Sequence, residues 1–300
     1  MERRRLFLGI ERSALGRAWR DRLDDPGRAQ ALAITQAHDL PDILSRVLAG
    51  RGVSAETAED FLEPTIRAAM PDPAVLTDMD RAVERLAKAV LTGEQVAIFG
   101  DYDVDGASSS AVLALFLRAA GLDPLLHIPD RIYEGYGPNT DALRMLAGKG
   151  ASLLVTLDCG TTSHQVLGEA ASIGLDVVVC DHHQADETLP SVEAVVNPNR
   201  QDDLSGLGQL CAAGVTFMLV VALNRHLRGK GHWTTARPEP DLMGLLDLVA
   251  LGTVADVVPL TGLNRAFVAR GLAVMRRRDN AGLRALMDVA RLDGPPTPYH

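Results

Sequence analysis

Three short runs, QVAIFG (95–100), SLLVTL (152–157) and DVVVC (176–180), are continuously apolar, and helical stretches separate them. A strand with one face in water alternates apolar and polar residues; a strand buried on both faces does not. Runs of this kind, joined by helical patterns over 108–120, 141–147 and 163–173, point to one architecture. It is α/β: a parallel sheet covered by helices on both faces. A fourth run, AVVNP (194–198), is cut by Pro198. Aromatic residues are only 4% of the chain, which disfavours a β-sandwich.

Around this core the organisation is helical. Residues 1–75 read as a helical amino-terminal segment, with helical spacing over 42–49 and 55–62 and breaks at Pro41, Pro64, Pro71 and Pro73. An amphipathic helix over 79–91 comes next, with Ala82, Val83, Leu86, Ala89 and Val90 on one face. Residues 76–300 are then expected to form the main domain. They include apolar helices over 210–223 and 242–251, with a polar, Pro-containing loop over 229–241 between them.

Composition removes several function classes. The 300 residues carry 30 basic and 39 acidic side chains, a net charge of −9, so bulk electrostatic coating of nucleic acid is excluded. A nuclease is not, because acids gathered to hold cations make a chain look more acidic than its loaded form. No apolar run approaches the ~18–20 residues that span a bilayer. The start, MERRRLFLGIERS, is too short in apolar residues for a signal peptide. Cys159, Cys180 and Cys211 form neither a CxxC pair nor an even set, so they read as buried thiols of a reducing, cytoplasmic compartment.

The residues just past each strand carry the chemistry. Asp101, Asp103 and Asp105 come after the first run, Asp158 after the second, and Asp181, His182 and His183 after the third. In a parallel sheet all carboxyl ends of the strands share one edge, where ligands bind. An extended backbone over 101–105 would point its three carboxylates to one side. Clustered carboxylates repel unless cations lie among them, and oxygen-rich sets with an imidazole or two suit Mn²⁺ or Mg²⁺. A fourth piece, LVALGTVADVVPL (248–260), buries Asp256 in apolar surroundings, where it is either a further ligand or a helix-terminal acid satisfied by backbone amides. Ser108, Ser109 and Ser110 either cap the next helix or border a phosphate site. The arginine clusters Arg3, Arg4, Arg5 and Arg276, Arg277, Arg278 read as solvated faces, with DNA contacts as the alternative.

GDYDVDG (100–106), LDCG (157–160), DHH (181–183) and GTVADVVPL (252–260), in this order, resemble motifs I to IV of the DHH phosphoesterase superfamily. RIYEGYGPN (131–139), VNPN (196–199) and Asn264-Arg265 are similar to its RecJ-like branch of single-strand-specific exonucleases.

The resemblance implies two Mn²⁺ or Mg²⁺ ions per chain. Asp103 would serve one and Asp105 the other, with Asp158 between them and His182 and Asp256 completing the second. Asp101 would be an extra ligand of the first ion or an acid behind it. His183 would face the phosphate and Asp181 would orient the imidazoles. Arg131, Ser109 and Gly135 are the expected substrate contacts, with an ordinary surface arginine as the alternative for Arg131. Two ions ~3.5–4 Å apart acidify a shared water and stabilise charge on phosphoryl oxygens.

The implied activity is 5′→3′ hydrolysis of single-stranded DNA to 5′ mononucleotides, in DNA repair and recombination. The chain would be a monomer with helicase or single-strand-binding partners. A pyrophosphatase or a nucleotide or cyclic-dinucleotide phosphodiesterase is the alternative enzyme, although Phe99 stands where the pyrophosphatase branch has His. A DHH-fold replication scaffold that lost its metals is the non-catalytic alternative. Members of the branch also carry a Gly-rich second catalytic domain and an OB-fold; no motif of either is found in this chain, which therefore resembles the catalytic amino-terminal portion.

Overall fold

The computed structural model describes residues 6–299, and Arg3, Arg4 and Arg5 lie outside them. Two compact units are present, Met1–Ala68 and Ala69–His300.

In the first unit, α1 (Asp25–His38), α2 (Asp42–Ala49) and α3 (Ala58–Leu62) enclose a small core of Ile34, Leu48, Val53 and Ala58. Asp24 caps α1 by accepting from the Gly27 amide at 2.8 Å. A short α4 (Ile66–Ala69) comes after them.

The second unit is built on five parallel strands. It opens with α5 (Met79–Thr92), whose buried side includes Ala82, Val83, Leu86, Ala89 and Val90. Then come β1 (Val96–Gly100), α6 (Val104–Ala119), β2 (Leu125–His127), α7 (Thr140–Gly148), β3 (Leu153–Leu157), α8 (His164–Ala170), β4 (Asp176–Cys180) and β5 (Ala194–Val196). After these lie α9 (Ala212–Gly229), α10 (Leu246–Ala255), α11 (Gly262–Met275) and α12 (Ala281–Val289).

The strand order is β2-β1-β3-β4-β5, every pairing parallel, with Gly100 opposite Leu157 and Leu157 opposite Cys180. That register brings the ends of β1, β3 and β4 level. One face of the sheet packs Ala97, Phe99, Leu154, Val177 and Val179 against Leu143 and Leu146 of α7 and Leu167 of α8. The other lies under α5, α6 and α9, with Cys180 reaching Thr216 of α9 at 3.5 Å. The α/β class with helices on both faces therefore holds.

β2 was not legible as a strand. It is a three-residue edge between Pro124 and Pro129, with Leu126 about half exposed, so it lacks the continuous apolar character of the central strands. All three cysteines are buried and free. Arg277 and Arg278 pair with Asp279 and Asp288, so that cluster is an ion-paired surface. Among the described residues no helix is long and apolar enough to cross a membrane.

Candidate metal centre

Loops leaving β1, β3 and β4 meet the end of α10 at the carboxyl edge of the sheet. Asp101 comes directly after β1 and is buried, its amide donating to the Leu157 carbonyl at 3.1 Å. The chain then turns into a helix sooner than an extended reading of 101–105 allows. Asp103 is the cap of α6, accepting from the Gly106 amide at 2.9 Å, and Asp105 already lies in its first turn. The expected extended alternation is thus replaced by a strand-to-helix corner, which leaves Asp101 and Asp103 in one group of donors and turns Asp105 toward another.

Asp105 is 1% exposed and turns inward, accepting from the Ala212 and Ala213 amides of α9 at 2.6 and 2.9 Å. Donors at a helix amino terminus suit a carboxylate. Gly252 of α10 makes room for it: a Cβ there would lie 2.6 Å from Asp105 Oδ1 and 2.8 Å from Ala213 Cβ.

Asp158 sits just past β3 with φ of 62°, a left-handed conformation unusual outside glycine. Asp181 comes just after β4. Its Oδ1 accepts from the His182 and His183 amides at 2.7 and 3.2 Å and from His183 Nδ1 at 2.8 Å; its Oδ2 accepts from the Thr161 amide at 3.0 Å. Asp181 is thereby committed to orienting the loop and the His183 ring. His182 points between carboxylates, with Nε2 3.2 Å from Asp158 Oδ1, 3.7 Å from Asp256 Oδ2 and 3.9 Å from Asp105 Oδ2. Asp256 terminates α10 and is partly buried.

The ligand atoms fall into overlapping groups, each within 4.8 Å: Asp101, Asp103 and Asp158; Asp105, His182 and Asp256; and Asp158, His182 and His183. Asp158 and His182 each belong to two of them. Asp158 Oδ1, His182 Nε2 and Asp101 Oδ1 are buried without a hydrogen-bond partner, the signature of atoms waiting for something other than protein. Among the described residues no Lys or Arg pairs with any of these five acids or with Asp181.

The electrostatics reflect that crowding. Burial and the neighbouring Asp105 and Asp103 push Asp158 up to about 10. Burial also raises Asp105, Asp101 and Asp256 above the usual carboxylate range. Asp181 goes the other way: burial opposes its ionisation, but the hydrogen bonds and charge of His183 and the Thr161 donors outweigh it and bring it down to about 2. The bond to Asp181 correspondingly raises His183. An acid-rich crevice lacking internal cations is complementary to dications, and oxygen donors with one imidazole match Mn²⁺ or Mg²⁺.

The sheet edge and every member of this donor set except Asp256 lie within a DHH family, N-terminal domain match over residues 95–253. The chain belongs to the DHH family. Among its relatives, the single-stranded-DNA-specific exonuclease RecJ of Salmonella typhimurium is 40% identical over 259 residues, covering 85% of this DHH chain and 44% of the relative. A RecJ structure from Thermus thermophilus in complex with Mn²⁺ superposes with a TM-score of 0.70 at 31% identity, over 87% of this chain and 35% of that one. A second, an exonuclease RecJ bound to manganese, gives 0.63 at 36% identity over 73% and 53%. The chain spans about half the length of the curated relatives it matches.

The expected substrate contacts separate into those at the rim and one that is not. Arg131 is exposed, its guanidinium 4.9 Å from the centre of the Tyr102 ring, in the loop where Gly135 takes a φ of 82°. Ser109 is a correction: it is fully buried, and its hydroxyl donates to the Asp105 carbonyl at 2.7 Å inside α6, so it presents nothing to a ligand. Residues that sequence reasoning left without a role also gather here. Tyr136 packs edge-on against Tyr102 and His183, with ring centres 6.4 and 6.0 Å apart. Asn264 holds the chain after Asp256 by donating to the Pro259 and Gln209 carbonyls at 3.0 and 2.6 Å. Both lay inside quoted motifs, but nothing in their spacing announced these contacts.

Proposed function

We propose that this chain is the catalytic portion of a two-metal exonuclease that hydrolyses single-stranded DNA from the 5′ end to mononucleotides, in DNA repair and recombination. The carrying observation is a pair of donor groups, one with Asp158 and the other with His182, linked by a third that contains both; the buried ligand atoms of these two residues have no hydrogen-bond partner. Asp101, Asp103 and Asp158 would hold one Mn²⁺ or Mg²⁺, and Asp105, His182 and Asp256 the other, with Asp158 serving both.

Such a pair supplies Lewis acidity to a phosphodiester and to the water that attacks it. The protein's own part is positioning. Asp181 keeps a proton on His183 Nδ1 and leaves Nε2 of that ring for a phosphoryl oxygen. Arg131 and the loop around Gly135 would hold the strand's phosphate at the rim. The RecJ names of the relatives and the manganese in their structures support substrate and metal alike.

In this reading residues 76–300 form the phosphoesterase domain, preceded in sequence by a helical segment at 1–75. The chain works as a cytoplasmic monomer on DNA presented by helicase or single-strand-binding partners. The test is incubation with a 5′-labelled oligonucleotide and, separately, with pyrophosphate, both in Mn²⁺. Release of mononucleotides from the oligonucleotide is expected. Rapid pyrophosphate cleavage without mononucleotide release would instead assign the chain to another branch of the family.

A further inference from the structure

The two imidazoles hang on a loop of only a few residues, and the side chains that fix this loop come from beyond β5. The amide of Asn197, which is fully buried, donates to the His183 carbonyl and to the Thr161 hydroxyl, both at 2.9 Å. The amide of Asn199 donates to the His182 carbonyl at 2.5 Å and to the Gly208 carbonyl at 3.1 Å. Each NH₂ group has two hydrogens, and each gives one to a histidine carbonyl and one elsewhere. Asn197 Oδ1 in turn accepts from the backbone N–H of Asn199 at 2.8 Å, so the pair is locked to itself.

A closed ring results. Thr161 donates its backbone amide to Asp181 at 3.0 Å, Asp181 accepts from His183, and the His183 carbonyl accepts from Asn197, which holds Thr161. The ring ties together the loops after β3, β4 and β5, which bring Asp158 and His182 into contact. It is anchored outside the crevice by Arg200, which donates to the Val195 carbonyl at 2.6 Å and to Asp78, just before α5, at 2.8 Å. Gly208 completes it, because a Cβ there would lie 2.5 Å from Asn199 Oδ1.

We propose that Asn197 and Asn199 are positioning residues for the imidazole pair, setting through the His183 and His182 carbonyls the direction in which both rings enter the acidic crevice. Neither touches a ligand atom. Their effect reaches the metals only through the backbone, and it rests on the two-metal reading above.

The test is made on the full chain with Asn197→Ala, Asn197→Asp, Asn199→Asp and Gly208→Ala. Mn²⁺ affinity of the folded protein, measured by calorimetry, should fall on the order of tenfold for the asparagine variants, the usual scale for groups that orient a ligand. Gly208→Ala, which acts through Asn199 alone, should lose less. Asn197→Asp adds a negative charge, which by Coulomb attraction alone would strengthen cation binding, so its loss of affinity cannot be a charge effect. Hydrogen exchange in chelator supplies the second readout: the His182 and His183 amides, held on Asp181, should exchange faster while α9 keeps its protection.

A lower melting temperature with parental affinity in both Asn197 variants, or loop exchange that does not change, would overturn the proposal. If the parent itself binds no Mn²⁺, the two-metal reading fails, and loop exchange alone then decides whether the asparagines position the rings.

Discussion

The two edges of the sheet treat charge in opposite ways. At the amino edge, Arg85 lies between Glu94 and Asp176, 2.6 and 2.7 Å from their carboxylates, and Ser152 donates to Glu94 at 2.9 Å. Two acids there meet one guanidinium, and Glu94 falls below its usual range because these partners outweigh its burial. At the carboxyl edge, Asp101, Asp103, Asp105, Asp158 and Asp256 meet one another and His182, and burial lifts four of them. The same strands thus run from an end whose acids are ion-paired to one that leaves its charge for something else to balance. Stability is placed at the first edge and chemistry at the second.

The largest effect should come from breaking the second edge. Asp158→Asn removes the carboxylate proposed to serve both metals, so turnover on a short oligonucleotide in Mn²⁺ should drop by about three orders of magnitude or more. In chelator the same variant should melt no lower than the parent, since it relieves repulsion with Asp105 and Asp103. Parental turnover would reduce Asp158 to a turn residue.

Breaking the first edge should do the reverse. Arg85→Met leaves Glu94 and Asp176 unpaired; with Asp176 half exposed, the cost should be about 2 kcal/mol in urea unfolding, below the full penalty for a buried pair. Mn²⁺ affinity should stay at the parental value. A variant that loses metal instead would show that the two edges are not independent.

The contrast also has a pH signature. An acid raised on folding adds stability that is complete below its unfolded value of 3.8 and is lost as pH climbs toward its folded value. With Asp158 pushed up to about 10, the metal-free chain should melt progressively lower from about pH 5 to pH 9. Mn²⁺ should flatten or reverse that slope, because its ligands must be deprotonated. Asp181, brought down to about 2, contributes the opposite way: its stability is present above 3.8 and is lost as pH falls toward 2. A metal-free melting curve that rises between pH 5 and pH 9 would contradict the picture of an uncompensated edge.

The smallest effect belongs to the rim. Arg131→Ala removes an exposed cation stacked on Tyr102, and KM for a short oligonucleotide should rise severalfold with kcat nearly unchanged. A fall in kcat of the size expected for Asp158→Asn would move Arg131 into the reacting centre.

How much of this could be read from the residues depended on what kind of contact was involved. β1, β3, β4 and β5 were visible because strands buried on both faces must be continuously apolar, whereas β2, one short edge between prolines, obeys no such rule. The acids were visible because a parallel sheet sends every strand end to one edge. Their local geometry was not: whether 101–105 stays extended or turns at Asp103 depends on a capping bond to Gly106 that the alternation of aspartates disguises. Ser109 lies one helical turn beyond Asp105 in sequence, but its hydroxyl is spent on the Asp105 carbonyl inside α6. Asn197, Asn199 and Asn264 act on backbone carbonyls, and a carbonyl leaves no mark in a sequence to say who will bind it.

The central claim is that the carboxyl edge is built to be completed by two dications, and anomalous diffraction at the manganese edge from Mn²⁺-soaked crystals tests it most directly. Two peaks per chain are expected, one against Asp101, Asp103 and Asp158 and the other against Asp105, His182 and Asp256. A crevice with no peak, or with a single ion that leaves Asp158 unligated, would contradict the account.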